Sequence, residues 1–274
     1  MAKAADHLTQ IVRTGDPERY LSVLYAPEDR RPALLALYAF NIEVARVRDA
    51  VREPLPGEIR LQWWRDAIAA PEGAMTGNPV ADALRAAIAA HDLPIAAFDN
   101  MLEARIFDLY DDPMPDRTTL EGYCGETAGA LIQFAALILD REAAMAHAAL
   151  AGHAGCAQAI AGALRLLPIH RSRGQCYVPA DILAAAGVDR ETFIAGGEGS
   201  ERAVAAMAAL GREHVVAFER GAKRLPASLR PAFLPAAFAG AHLERLEAAP
   251  RGGGRPLPAL RRHWIAFRRA TRGW

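Results

Sequence analysis

YAFNIEVARVRDAV, residues 38–51, and AGCAQAIAGALRLLPIHRSRGQCYVPADIL, residues 154–183, decide how the chain folds. Both are dominated by good helix formers and lack the two-residue alternation of a half-buried strand. The first predicts the body of a long helix over about 32–52, ended by Pro54 and Pro56. The second predicts a helix that breaks at Pro168 and runs into a basic loop, because an interior proline removes a hydrogen bond and clashes with the preceding turn.

Outward from these stretches the same helical signal continues. Asp16-Pro17 is a helix start, a capping side chain followed by proline at the first helical position. Helices are expected over about 57–70, 79–90 and 95–111, the last closed by Asp112-Pro113. Two long neighbours, about 118–139 and 142–167, are antiparallel because only Asp140-Arg141 joins them. A short helix and turn at 179–195, helices near 201–222 and 231–248, a glycine-rich break at 251–256 and a last short helix complete the chain. No repeat divides it, so the expectation is one all-α domain over 1–250 with a basic tail over 251–274.

Composition narrows the function classes. The 274 residues are 52% hydrophobic and 23% charged, which excludes global disorder. Zero formal net charge argues against nucleic acid as a partner. Of the 32 basic residues only Lys3 and Lys223 are lysine, a bias that genomic base composition explains. Cys124, Cys156 and Cys176 are odd in number, lack CxxC or Cys/His zinc spacing and fit a reduced compartment. The N-terminus has no apolar core of signal-peptide type, and the best apolar run, 128–139, falls short of the ~20 residues of a membrane span. These features predict a cytoplasmic chain with at most peripheral contact on the inner membrane face.

Five motifs carry a resemblance. YLSVLYAPEDRRPALLALYAF (20–40), LQWWRDAI (61–68), FDNMLEARIFDLYD (98–111), YCGETAGAL (123–131) and the stretch from Gln158 to Pro179 are, in order and spacing, similar to the squalene/phytoene synthase family over about residues 15–250. The resemblance implies the isoprenoid-synthase fold, helices around a central apolar cavity. Enzymes of that family condense two prenyl diphosphates head to head, with magnesium held by two aspartate-rich motifs. A departing diphosphate gathers negative charge that metal ions neutralise, and carboxylates four residues apart on a helix share one face.

Laid on this chain, the first motif falls on Ala45 and Asp49 and the second on Arg165 and Ile169, with Ala161 where the family has asparagine. Gln158, Tyr177 and Pro179 match. One carboxylate of four remains, and one position carries a cation that repels magnesium. The pattern resembles the branch of the family that serves assembly of respiratory complex I. That implies a fold used for assembly or lipid handling.

Asp49 is either a weak metal ligand, alone or with Glu53, or an ion-paired acid among Arg46, Arg48 and Arg52. Arg46, Arg48, Arg165, His170, Arg171 and Arg173 are candidates to clamp a diphosphate or other anion directly; the alternative is a solvated basic loop. Tyr38, Asn41, Ala45, Tyr123, Gln158 and Ala161 are candidates to line a cavity. The acids Asp99, Glu103, Asp108, Asp111 and Asp112 read as a solvated helix face, with a displaced metal site as the alternative. Gly152, Gly155, Ala159 and Gly162 either admit a neighbouring helix closely or leave room for a prenyl or acyl chain. The tail, with Arg251, Arg255, Arg261, Arg262, Arg268, Arg269 and Arg272 interleaved with Trp264, Phe267 and Trp274, suits either an anionic membrane surface or packing on the domain.

The expected function is binding of an isoprenoid or lipid without condensation, in support of assembling a membrane respiratory complex, with a subunit of that complex as protein partner. No cofactor is expected. The alternative is a working head-to-head prenyltransferase, which would need Mg2+ at an altered site.

Overall fold

The computed structural model describes residues 2–71, 73–248 and 256–274, and every regular element among them is helical. Helices α1 (Ala2–Gly15) and α2 (Pro17–Leu24) meet at Asp16, whose carboxylate accepts the Arg19 amide at 2.9 Å while Pro17 opens the second helix. Helix α3 (Arg31–Ala45) runs into a 3-10 turn at Arg48–Ala50. Then follow α4 (Pro54–Ala69), α5 (Pro79–His91) and α6 (Ile95–Ala104), the last tightening into a 3-10 segment at Arg105–Leu109. Helix α7 (Arg117–Cys124), a π-helical segment at Gly125–Gly129 and α8 (Ala130–Leu139) make one continuous rod. The order continues with α9 (Arg141–Ala146), α10 (Ala148–Arg165), α11 (Leu167–Ser172), α12 (Ala180–Ala185), α13 (Arg190–Ala195) and α14 (Ser200–Ala222). Helix α15 (Arg230–Phe233) is flanked by 3-10 turns, and α16 (Ala239–Ala248) and α17 (Ala259–Arg272) complete the described chain.

Capping side chains set several helix starts. Asn78, Asp116, Asp140 and Asp189 each accept a first-turn amide of the helix they precede. Four boundaries differ from expectation. The helix expected to reach residue 52 ends at Ala45, where the Arg46 amide is shared between the Ile42 and Glu43 carbonyls and the turn tightens. The segment 95–111 is helical only to Ala104 before its 3-10 finish. The helix expected over 142–167 divides at His147. Pro168 does not lead into a loop: it sits in the first turn of α11, where its missing N–H costs nothing, and so His170 and Arg171 are helical.

Three apolar clusters form the interior, the smallest joining Leu21, Phe238, Ala241, Leu257 and Ala266. The largest gathers α1, α3, α5, α6 and α8 around Phe40, Phe98 and Phe134, with Phe98 and Phe134 stacked at 4.0 Å and Phe40 edge-on to Trp64 at 5.0 Å. Each such buried ring contributes about 1.5–3 kcal/mol. The second cluster gathers α10, α12, α13, α14 and α16 around Ile160, Phe193, Met207 and Leu243. The three cysteines are free thiols buried within the fold.

The rod Arg117–Leu139 is, by length and composition, long and apolar enough to cross a membrane, further than the expected 128–139 run, yet 61% of its most apolar window is buried in the bundle. Its Leu131, Phe134 and Ile138 side chains belong to the largest cluster. Close packing explains part of the small-residue stripe on α10. A Cβ on Gly155 would lie 2.3 Å from the Gly129 nitrogen, so backbone meets backbone there, whereas Gly152 has open space around it. Residues 251–255, where the basic tail was expected to begin, lie outside the described residues. From Ala259 the tail is α17, anchored by fully buried Ala266 and by Trp274, whose ring meets Phe218 at 5.3 Å.

Candidate functional site

A cavity of about 600 Å³ opens between the two stretches that decide the fold. Asn41, Ala45, Arg46, Arg48 and Asp49 form one wall; Gln158, Ala161, Arg165, Ile169, His170 and Arg173 form the facing wall. Ala159 and Gly162 from the small-residue stripe also line it, so that stripe divides its service between helix contact and cavity.

Its floor is a buried polar network centred on Asp108, 7% exposed. One carboxylate oxygen accepts the Tyr123 hydroxyl at 2.7 Å and the Tyr177 hydroxyl at 2.8 Å; the other accepts Arg105 Nη1 at 3.0 Å. Arg105 also donates to the Tyr123 oxygen at 3.0 Å, and Gln175 Nε2 donates to the Asp108 backbone carbonyl at 3.1 Å. Burial pushes both tyrosine hydroxyls well above their ordinary value, so they remain donors. Burial opposes the Arg105 charge, but the facing Tyr123 and Asp108 oxygens raise it above its ordinary value. The His170 ring lies tilted beside Tyr177, centroids 4.7 Å apart, and burial lowers it to about 4, so it is a neutral ring at neutral pH.

The rim has the opposite character. Seven arginines and four carboxylates line the cavity, and each carboxylate is already engaged. Asp16 holds Arg19, which reaches on to the Gln158 side-chain oxygen at 3.0 Å. Glu18 accepts His242 Nε2 at 2.8 Å across 224 residues of sequence. Asp108 holds Arg105, and Asp49 is bonded to Arg173. Arg48 turns to Asp111 at 3.2 Å. Among the described residues, the guanidinium groups of Arg46, Arg165 and Arg262 have no hydrogen-bond or ion-pair partner, and all three face the cavity.

This arrangement does not fit magnesium. The four positions expected to match the metal motifs, Ala45, Asp49, Arg165 and Ile169, do all line the cavity, but they supply one carboxylate, and Arg173 occupies it. Among the described residues no group of three His, Cys, Asp or Glu side chains could hold a metal ion. The acidic set gives no displaced site: Arg65 pairs with both Asp99 and Glu103, while Asp108 and Asp111 are engaged as above.

Two candidates move. Arg171 points away from the cavity, its guanidinium lying 4.9 Å over the Phe193 ring, because α11 restarts the helix after Pro168 and turns Arg171 outward as His170 turns in. Tyr38 is 2% exposed and belongs to the core, covered by the Arg19 guanidinium 5.8 Å from its ring; burial pushes its hydroxyl up to about 12. The other candidates from Asn41 to Arg173 line the cavity. Arg19, Arg105 and Arg262 went unread as site residues. The three-residue spacing of Arg105 and Asp108 was the available signal for a pair; nothing local marks Arg19 or Arg262.

The family signature described as squalene/phytoene synthase matches residues 12–263. The chain belongs to the squalene/phytoene synthase family. Squalene synthase HpnC from Alicyclobacillus acidocaldarius superposes with a TM-score of 0.74 at 20% identity, over 92% of this chain and 95% of that one, and so shares the fold. NADH dehydrogenase (ubiquinone) complex I, assembly factor 6, from Mus musculus is 31% identical over 248 residues, 87% of this chain and 72% of its own length. Phytoene synthase from Thermus thermophilus is 30% identical over 196 residues, 69% of this chain and 64% of its own. This squalene/phytoene synthase family member is thus similar both to a phytoene synthase and to a complex I assembly factor.

Proposed function

We propose that the chain binds a prenyl diphosphate or a similar anion-headed lipid in this cavity without metal and without condensing it, and that it assists assembly of a membrane NADH dehydrogenase. The observation that carries the binding reading is the set of three unpartnered arginines, Arg46, Arg165 and Arg262, around a cavity whose carboxylates are all engaged. Guanidinium groups bind phosphate oxygens through paired, charge-assisted hydrogen bonds and need no bridging cation. Similarity to complex I assembly factor 6 supports the assembly role.

Titration of farnesyl diphosphate by calorimetry in EDTA tests the binding reading. Binding is expected to be unchanged by added Mg2+, and each Arg→Ala change at 46, 165 or 262 is expected to weaken it roughly tenfold, since charge-assisted bonds are worth about 1.5–3 kcal/mol. Magnesium-dependent release of pyrophosphate with a condensed hydrocarbon product would overturn it. Deleting the gene is expected to reduce assembled NADH dehydrogenase in the host membranes; unchanged assembly would overturn that part.

A second reading, a prenyltransferase with an altered metal site, draws on the similarity to phytoene synthase and on Tyr177 and Gln158 facing the cavity. It requires metal ligands that this rim does not supply.

A further inference from the structure

Helix α17 carries two faces with different partners. On the inner face, Ala266 is fully buried, Arg269 bonds Glu219 at 2.5 Å, and Arg262 reaches into the cavity. On the opposite face, Leu260, Trp264 and Phe267 are 86%, 62% and 49% exposed. Spaced four and then three residues apart, they form one stripe along the helix, with the Trp264 and Phe267 rings 6.3 Å apart. Arg261, Arg268 and Arg272 flank that stripe, and the helix contains no acidic residue. The Arg268 and Arg272 guanidinium groups have no partner among the described residues.

We propose that α17 is a membrane-surface helix whose Leu260, Trp264 and Phe267 stripe enters the headgroup region of an anionic phospholipid bilayer while Arg268 and Arg272 contact lipid phosphates. An apolar stripe edged by arginine matches such a surface in both hydrophobicity and charge. A second exposed stripe, Leu55, Ile59 and Trp63 on α4, shows why the flanks decide the partner. That helix mixes Arg60 and Arg65 with Glu58 and Asp66, and Arg65 is tied to Asp99 and Glu103. It presents no field to attract anionic lipid. Because Arg262 projects from the side of α17 opposite the stripe, docking holds the cavity about one helix diameter, ~10–12 Å, from the headgroups. The proposal stands whether or not the cavity accepts a ligand.

The test is co-sedimentation of the full chain with vesicles of mixed phosphatidylcholine and phosphatidylglycerol, with no prenyl ligand added. The wild-type chain is expected to sediment with these vesicles, weakly with phosphatidylcholine alone, and less as salt rises. Trp264→Ser with Phe267→Ser is expected to weaken partition roughly tenfold or more, and Arg268→Glu with Arg272→Glu to remove its salt dependence. Leu55→Ser with Ile59→Ser is expected to leave partition unchanged. All these side chains are exposed, and an unchanged melting temperature checks that each variant folds. In the unaltered protein, Trp264 emission, taken by difference against Trp264→Phe, is expected to shift to the blue with vesicles. A wild-type chain that stays in the supernatant, or loss of binding through the α4 variant and not the α17 variants, overturns the proposal.

Discussion

Arg173 is bonded to Asp49 across 124 residues of sequence, joining the two walls of the cavity at its rim. The acid that would have served a metal thereby holds a cation in place, and the rim keeps its excess of positive charge.

Asp49→Asn is accordingly expected to raise affinity for a diphosphate severalfold, since it removes a negative charge and frees Arg173 for the ligand. Calorimetry with pyrophosphate in EDTA reads this directly, and a loss of affinity would show that Asp49 serves the ligand. Both partners are about 40% exposed, so stability should change by less than about 1 kcal/mol.

Asp108 stands at the other extreme. Asp108→Asn leaves the buried Arg105 charge without its counter-ion and is expected to cost about 3–5 kcal/mol in urea denaturation. Tyr177→Phe removes one donor from the same carboxylate and should cost about 1 kcal/mol. A small effect of Asp108→Asn would mean that water reaches this floor and solvates the arginine.

These two acids show what a sequence can and cannot reveal about such a site. Asp49 and its wall partners Ala45, Arg165 and Gln158 were legible because regular helical spacing and family motifs place them on facing helices. Tyr38 has the spacing to share a face with Ala45, yet Arg19, a side chain from another helix, covers it. Arg171 was misplaced because Pro168 restarts a helix, and one residue of helical phase, about 100°, separates a side chain in the cavity from one on Phe193. Arg262 comes from a helix whose docking depends on Ala266 and Trp274, contacts that no local pattern encodes.

His170 makes stability depend on pH. Burial lowers it to about 4 in the folded chain, against about 6.5 in the unfolded chain. The unfolded state therefore binds the extra proton between these values, and stability falls as pH drops from about 6.5 to 4. The loss reaches roughly 3 kcal/mol and then levels off. His170→Gln should flatten this part of the profile, read as the difference between wild-type and variant urea midpoints at each pH. Parallel profiles would place the titration elsewhere.

Two glycines on α10 are expected to respond with opposite signs. Gly155→Ala drives a Cβ against the Gly129 backbone and should cost at least about 1–3 kcal/mol. Gly152→Ala meets no atom within 4 Å and should stabilise by about 0.5–1 kcal/mol through reduced backbone freedom. Urea denaturation of both, side by side, checks the assignment of close approach to one position and not the other.

The bond from His242 to Glu18 carries a consequence for how the protein is made. It ties one of the last helices to one of the first, and Arg262, later still, completes the rim. An N-terminal fragment emerging from the ribosome can form the Phe98–Phe134 stack but cannot enclose the cavity. Closing this cavity thus waits until α17 has been made, because its rim is drawn from both ends of the described sequence.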